Sequence, residues 1–396
     1  MAYRVLSLDG GGSWALIQVR TLMKLYGAQA KGHQILKDFD LVAANSGGSI
    51  VLGGLVEDLG LDVLLSYFED EQKRRAIFSP TKSWGDRILQ DVAGIGPKYS
   101  AKAKLTALQN IMRNSGGKTL STSVAGVGRT AGKDVELLIV AFDYDRNRAA
   151  FFRSQKSAGP GLGVGAVADV TLAEAIHAST NAPVNYFDEA AKFPDRPGRY
   201  WDGGITGYNN PVLAGVTEAL MSGVAASDVV ALSIGTANVA LPWPTASTDQ
   251  PPYFSAPSKT GLVNDLHKLA TSILDDPPDV ATFMAHMMTG GKVAGAIQTA
   301  SRIVRLNPLI SPQQKTKGEW SAPGTMTASQ FEFLADLDMD AVEQHEVDAI
   351  AAYAELWLND DAPNQPIRMD GDTLKLEVGY ELFSQSHQAW KLLLTL

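Results

Sequence analysis

The sequence predicts an α/β fold of three layers, α/β/α, with a mainly parallel central sheet. Two short β-rich runs, YRVLSL (3–8) and FDLVAA (39–44), each end in a turn of small residues. Each is followed by apolar residues near helical spacing, WALIQVRTLMKLYGAQ (14–29) and IVLGGLVEDLG (50–60). Successive strand–turn–helix units are the pattern that builds a parallel sheet with helices on its faces. The continuous apolar run DVVALSIGT (228–236) adds a strand buried on both sides.

The remaining elements follow in chain order. LDVLLSYFEDEQKRRAIF (61–78) and AKAKLTALQNIMRNSG (101–116) read as helices. DVELLIVAFDYD (134–145) and AAFFRSQ (149–155) read as adjacent strands, because the intervening DYDRNR is turn chemistry. LAEAIHAST (172–180) reads as a helix, RYWDGG (199–204) as a strand closed by glycines, and PVLAGVTEALMSG (211–223) as a helix opened by proline. Beyond 238 the pattern loosens into the Pro/Ser-rich LPWPTASTDQPPYFSAPS (241–258) and the Met-rich DDPPDVATFMAHMMTGG (275–291). AVEQHEVDAIAAYAELWL (341–358) is again helical, and no internal repeat is visible.

Composition narrows the function classes. With 396 residues, 45% hydrophobic and 19% charged, the chain can bury a large core. No linker-like segment divides it, so one domain over 1–396 is expected, with a core at about 1–240. The net charge of −9 disfavours a nucleic-acid partner, and QKRRA (72–76) reads as a solvated helix face. There is no cysteine, hence no disulfide and no thiolate chemistry. MAYRVLSLDGGG lacks a secretory signal, and no apolar stretch is long enough to span a bilayer, so a cytoplasmic location is expected.

Three motifs carry chemistry. In ANSGGS (44–49), Ser46 stands where a strand turns into a helix, flanked by Gly47 and Gly48. Such a turn lifts a hydroxyl above the sheet edge and puts a helix N-terminus beside a developing oxyanion. In DGGGSWA (9–15), Gly10, Gly11 and Gly12 offer backbone N–H groups unobstructed by side chains. In WDGGITGYNNP (201–211), Asp202 ends a strand beside Gly203 and Gly204, and a serine hydroxyl needs such a base within hydrogen-bond reach.

In this order, DGGG, S-x-G at the elbow and DGG before NNP resemble the patatin-like phospholipase family. AIHASTNAPVNYF (175–187) and ALSIGTA (231–237) are similar to further family segments, and RLNPLI (305–310), DLDMDAV and NQPIR are weaker echoes. The resemblance implies a lipid acyl hydrolase with Ser46 as nucleophile, Asp202 as base, the loop of Gly10 to Gly12 as oxyanion hole, and no metal or other cofactor. It implies a lipid substrate met at a membrane or micelle surface; separately, the loosely patterned region of about 240–300, at the head of the loops and helices of 241–396, is expected to form a lipid-facing cap. No histidine is expected to take part; His177 reads as structural.

Two positions depart from the family pattern DGGG-x-[RK]-G: Trp14 replaces the basic residue and Ala15 the last glycine. Ala44 also replaces the first elbow glycine, a costly change only if its φ is positive. Other readings compete with hydrolysis. A lipid-binding protein that lost activity would keep the same fold. An actin-like phosphotransferase needs a strand after DGGGS, where a helix is predicted. A dinucleotide-binding reading of GGGSWA lacks an acidic residue at the end of the second strand. DLDMDAVEQHEV has Ala341 and Val347 where a calcium loop needs glycine and glutamate.

Overall fold

The computed structural model describes residues 2–81, 97–154, 170–183, 186–194, 196–241, 243, 273, 277–291, 301–316, 318–369 and 376–396. Much of the Pro/Ser-rich stretch therefore lies outside the described residues. Among the described residues, no helix is long and apolar enough to cross a membrane.

Among the described residues, an eight-stranded sheet organises the fold. Its parallel part comprises β1 (Tyr3–Leu8), β2 (Leu41–Asn45), β3 (Glu136–Asp143), β7 (Val229–Ile234) and β8 (Ile303–Leu306), in the order β3-β2-β1-β7-β8. Three antiparallel strands, β4 (Arg148–Arg153), β5 (Ala191–Phe193) and β6 (Arg196–Asp202), complete the β3 end. The strand β8, IVRL, shares Arg305 and Leu306 with the run RLNPLI, and its four residues are too few to show a period in the sequence.

Alternate residues of the central strands enter different cores, as the two-residue period of a strand requires. Leu6, Leu8, Val42 and Ala44 pack in the larger core with α1 (Leu16–Tyr26), α2 (Gly32–Leu36) and α3 (Ser46–Val56). Val5, Leu41, Ala43 and Ala231 face the helix Val212–Met221. Gly215 lets that helix approach closely, since an added Cβ would lie 2.8 Å from Val5 and 3.2 Å from Ala43. The three-layer α/β/α arrangement with a mainly parallel sheet is thus present.

Two details differ from the sequence expectation. The helix expected over 61–78 is two helices, Leu61–Glu69 and Glu71–Ile77, divided at Asp70, whose carboxylate accepts the Lys73 N–H at 3.1 Å. An N-cap residue is non-helical by nature, so the capping bond starts a new helix. The basic run is also not wholly solvated. Arg74 is buried and donates to the carbonyls of Phe68 and Val342, while Arg75 pairs with Glu71 and Glu343.

Candidate active site

Ser46 is the first residue of α3 and has φ +46, a left-handed conformation that a non-glycine residue adopts only when its surroundings enforce it. The enforcement is visible. The Ser46 N–H donates to Ser179 Oγ at 2.9 Å, and Ser49 Oγ donates back to the Ser46 carbonyl at 2.6 Å. The next two residues must be glycine because the elbow presses against the first strand–turn unit. A Cβ on Gly47 would stand 2.6 Å from the Gly12 carbonyl oxygen, and one on Gly48 would stand 2.4 Å from that of Leu8. Ala44, by contrast, lies within β2 and is not among the residues with positive φ, so its methyl joins the core without strain.

Asp202 closes β6 and is buried. Ser46 and Asp202 line one pocket, and the Ser46 hydroxyl favours the ionised Asp202 carboxyl. Asp202 Oδ1 also accepts the Gly204 N–H at 2.8 Å and Asn45 Nδ2 at 3.3 Å. Burial raises the Asp202 pKa above the ordinary carboxylate value, whereas the Ser46 and Gly204 hydrogen bonds, the Lys104 charge and Asn45 act in the opposite direction. Gly203 lies against Asn45 and Val140, where a Cβ would meet Asn45 Oδ1 at 2.5 Å.

The glycine loop passes over the same elbow. Gly11 and Gly12 have φ +154 and +55, and Gly12 opens a short 3-10 turn, Gly12–Ala15. Amides in and beside the loop are already engaged: Gly10 N–H donates to the Asn209 carbonyl at 2.8 Å and Ser13 N–H to that of Met339 at 3.0 Å. The expected oxyanion donor Gly10 is therefore committed to the NNP turn, because that turn needs a donor for its own buried carbonyl.

Beneath the loop, the carboxylate of Asp9 pairs with Arg305 of β8 at 2.7 Å, and Arg305 also donates to Ser233 Oγ at 2.8 Å. Both members of the pair are buried. Burial pushes the Asp9 carboxyl up to about 6 against the opposing pull of Arg305. Trp14, at the position where a basic residue was expected, instead donates its indole N–H to the Asp338 carbonyl at 3.0 Å. Asp338 and Asp340 are held by Tyr186 and Tyr99 at 2.8 and 2.7 Å, with Lys98 3.0 Å from Asp340. The expected helix start at 341 is thereby delayed to Gln344, and 338–340 form a strap beside the loop.

A narrow pocket reaches Ser46 and Asp202 between Ile50, Ile77, Phe78 and Phe187, under Met339 and Asp340. Its volume of about 30 Å³ holds about two water molecules. A larger cavity of about 230 Å³, lined by Leu309, Gln313, Pro363 and Glu381 among others, shares none of these residues.

The patatin-like phospholipase family model matches residues 6–216, more than half of the chain, a span that contains the elbow, the glycine loop and Asp202. The chain belongs to the patatin-like phospholipase family. At family level this places it among the lipid acyl hydrolases. No match is found among curated proteins. Among solved structures, VipD from Legionella pneumophila is 11% identical with a TM-score of 0.36, the alignment covering 89% of this chain and 67% of VipD. The type III effector protein ExoU is 11% identical with a TM-score of 0.29, over 73% of this chain and 54% of ExoU.

Several residues around the site escaped the sequence reading. Asn45, Ser179, Asn181 and Asn209 form its hydrogen-bonded frame, and Lys104 lines the pocket. Ser179 and Asn181 lie in AIHASTNAPVNYF and Asn209 in the NNP turn, while the signal for Lys104 is its place at the helical phase of the apolar residues Ala101, Leu108 and Ile111. His177 is buried, and burial together with the Lys104 charge holds its pKa well below the ordinary histidine value.

Proposed function

We propose that this protein hydrolyses fatty-acyl ester bonds of lipids through a Ser46–Asp202 dyad. The carrying observation is the convergence of Ser46 and the buried Asp202 on one pocket, with Ser46 on a strained turn at a helix N-terminus. Asp202 accepts the Ser46 proton as the hydroxyl oxygen attacks the ester carbonyl. In this reading the amides of Gly47, just after the nucleophile, and of Gly11 and Gly12 serve the oxyanion, which the close approach of Gly12 to Gly47 supports. Asp202 then gives the proton to the leaving alcohol. Water, deprotonated by the same carboxylate, releases the fatty acid from the acyl-enzyme and regenerates Ser46.

An aspartate of ordinary pKa ~3.9 is a weak base near neutrality. The burial of Asp202 raises that value and supports the assignment. The apolar pocket walls suit an acyl chain, though the volume available requires the strap at 338–340 to yield before a chain enters. Substrate contact at a membrane or micelle surface, and a cap within 241–396, belong to the same proposal.

The test is covalent trapping. A fluorophosphonate should label Ser46 in the wild type, and Ser46→Ala should lose both labelling and hydrolysis of a p-nitrophenyl acyl ester. Full esterase activity in Ser46→Ala, or a label on another residue, refutes the dyad. A purified wild type without hydrolysis of any lipid class favours the lipid-binding reading.

A further inference from the structure

We infer that Lys104 is a positioning residue for the proposed reaction: its buried ammonium keeps Asp202 in the carboxylate form that accepts the Ser46 proton, and it fixes Asp202 through Asn181. This rests on the dyad reading and adds to it a cation drawn from a helix outside the three motifs.

Lys104 lies on the helix Ala101–Ile111 with no exposed surface. Its Nζ donates to Asn181 Oδ1 at 2.9 Å and to the His177 carbonyl at 3.2 Å, and sits 3.8 Å from the centre of the Phe187 ring. The Asn181 carbonyl in turn accepts the Asp202 N–H at 2.9 Å. One asparagine thus joins the lysine to the backbone of the aspartate. Lys104, Ser46 and Asp202 line the same pocket.

A lysine buried this completely is costly unless its charge is used, since neutral oxygens and an aromatic face replace only part of its hydration. An apolar side chain would fill the position at lower cost. Burial pulls the Lys104 pKa well below the ordinary lysine value, and the nearby carboxylates, that of Asp202 first and that of Asp188 next, act against this and favour the ammonium. The same attraction acts in reverse on Asp202, where the Lys104 charge opposes the effect of burial. Perturbed ionisable groups sharing one cleft are the arrangement expected of a working site.

The other charged groups around Lys104 leave it this role. His177, on the helix behind it, is held in the neutral form by burial and by Lys104 itself. The Asp188 carboxylate accepts the Ala101 N–H at 2.8 Å, at the start of the lysine's own helix. Asp340, across the pocket, is engaged by Tyr99 and Lys98. Tyr186, also at the pocket, stays protonated because burial and Asp338 raise its pKa far above the working range.

The experiment is the pH dependence of kcat/KM on a p-nitrophenyl ester for wild type, Lys104→Met, Lys104→Gln and Lys104→Arg. Fold is checked by circular dichroism, and the labelled residue in each protein is identified by mass spectrometry after fluorophosphonate treatment. In the two neutral variants the acid limb should move to higher pH, so that kcat/KM on that limb falls about threefold to tenfold more than on the plateau. Lys104→Arg keeps the charge and should keep the wild-type limb. If either folded neutral variant retains the wild-type limb, however far its plateau falls, the inference is overturned, because a purely structural lysine would lower the plateau alone. Labelling at Ser46 with an unmoved limb sinks the lysine inference and leaves the dyad standing. Labelling elsewhere in the wild type sinks both.

Discussion

Asn45 and Asp202 occupy consecutive places along one edge of β3. Asn45 pairs with Val140 in parallel, and Asp202 pairs with the next residue, Ala141, in antiparallel. Because β4 also pairs with Val140 to Asp143, it takes the other edge, and β6 takes over the β3 edge where β2 ends. Strand pairing across 157 residues of chain separation is therefore what brings the carboxylate of Asp202 against the residue that follows Asn45.

Asp202→Asn keeps the acceptor oxygen for Gly204 and removes the proposed base, so hydrolysis should fall by about 10²–10⁴-fold. Because the base works ionised, wild-type activity should rise with pH through a midpoint above 3.8, the ordinary value used for aspartate. Stability runs the other way. A carboxyl whose folded pKa is raised contributes stability fully present below its unfolded pKa and lost as pH rises through the folded one. Asp202→Asn should therefore gain stability relative to wild type on going from pH 3.5 to pH 7, read from urea denaturation at both pH values.

Arg305→Met leaves the Asp9 carboxylate buried without its partner. The expected cost is about 3–5 kcal/mol near neutral pH. Asp9 has a folded pKa of about 6 against 3.8 unfolded, so its own contribution is complete below about 3.8 and lost by the time pH passes 6. The deficit of the variant should accordingly be larger at pH 8 than at pH 5. Equal deficits at the two values, measured by chemical denaturation, would contradict the pairing.

Gly48→Ala places a Cβ 2.4 Å from the Leu8 carbonyl oxygen and 2.6 Å from that of Asp9. Neither backbone oxygen can swing aside, so a loss of about 1–3 kcal/mol is expected. The displaced Asp9 carries the glycine loop with it, and fluorophosphonate labelling should slow along with the fall in Tm.

Trp14→Phe removes the indole donor to Asp338 and should cost about 1 kcal/mol. The strap at 338–340 is then held less firmly over the pocket. The ratio of kcat/KM for a long-chain p-nitrophenyl ester to that for a short one should rise; an unchanged ratio would show that this contact does not limit chain entry.

Local patterning sufficed for the elements whose signal lies within a dozen residues. The strands Tyr3–Leu8 and Val229–Ile234 and the helix Leu172–Ser179 stand where their apolar spacing puts them. The break at Asp70 was hidden because a capping side chain interrupts a helix without interrupting its apolar period. Ser46, Asp202 and the glycine runs were legible because a sharp turn and a close backbone approach restrict residue type at single positions.

The sequence by itself determined the parallel α/β architecture and the turns that carry Ser46 and Asp202, since periodicity and turn chemistry are local properties of the chain. Tertiary structure alone decided the rest: that Asp202 lies beside Ser46, that Arg305 rather than residue 14 brings a cation beneath the glycine loop, and that Lys104 enters the pocket. The physical reason is that each of these joins segments far apart in sequence through sheet register and burial, and neither leaves a periodic trace in the residues concerned.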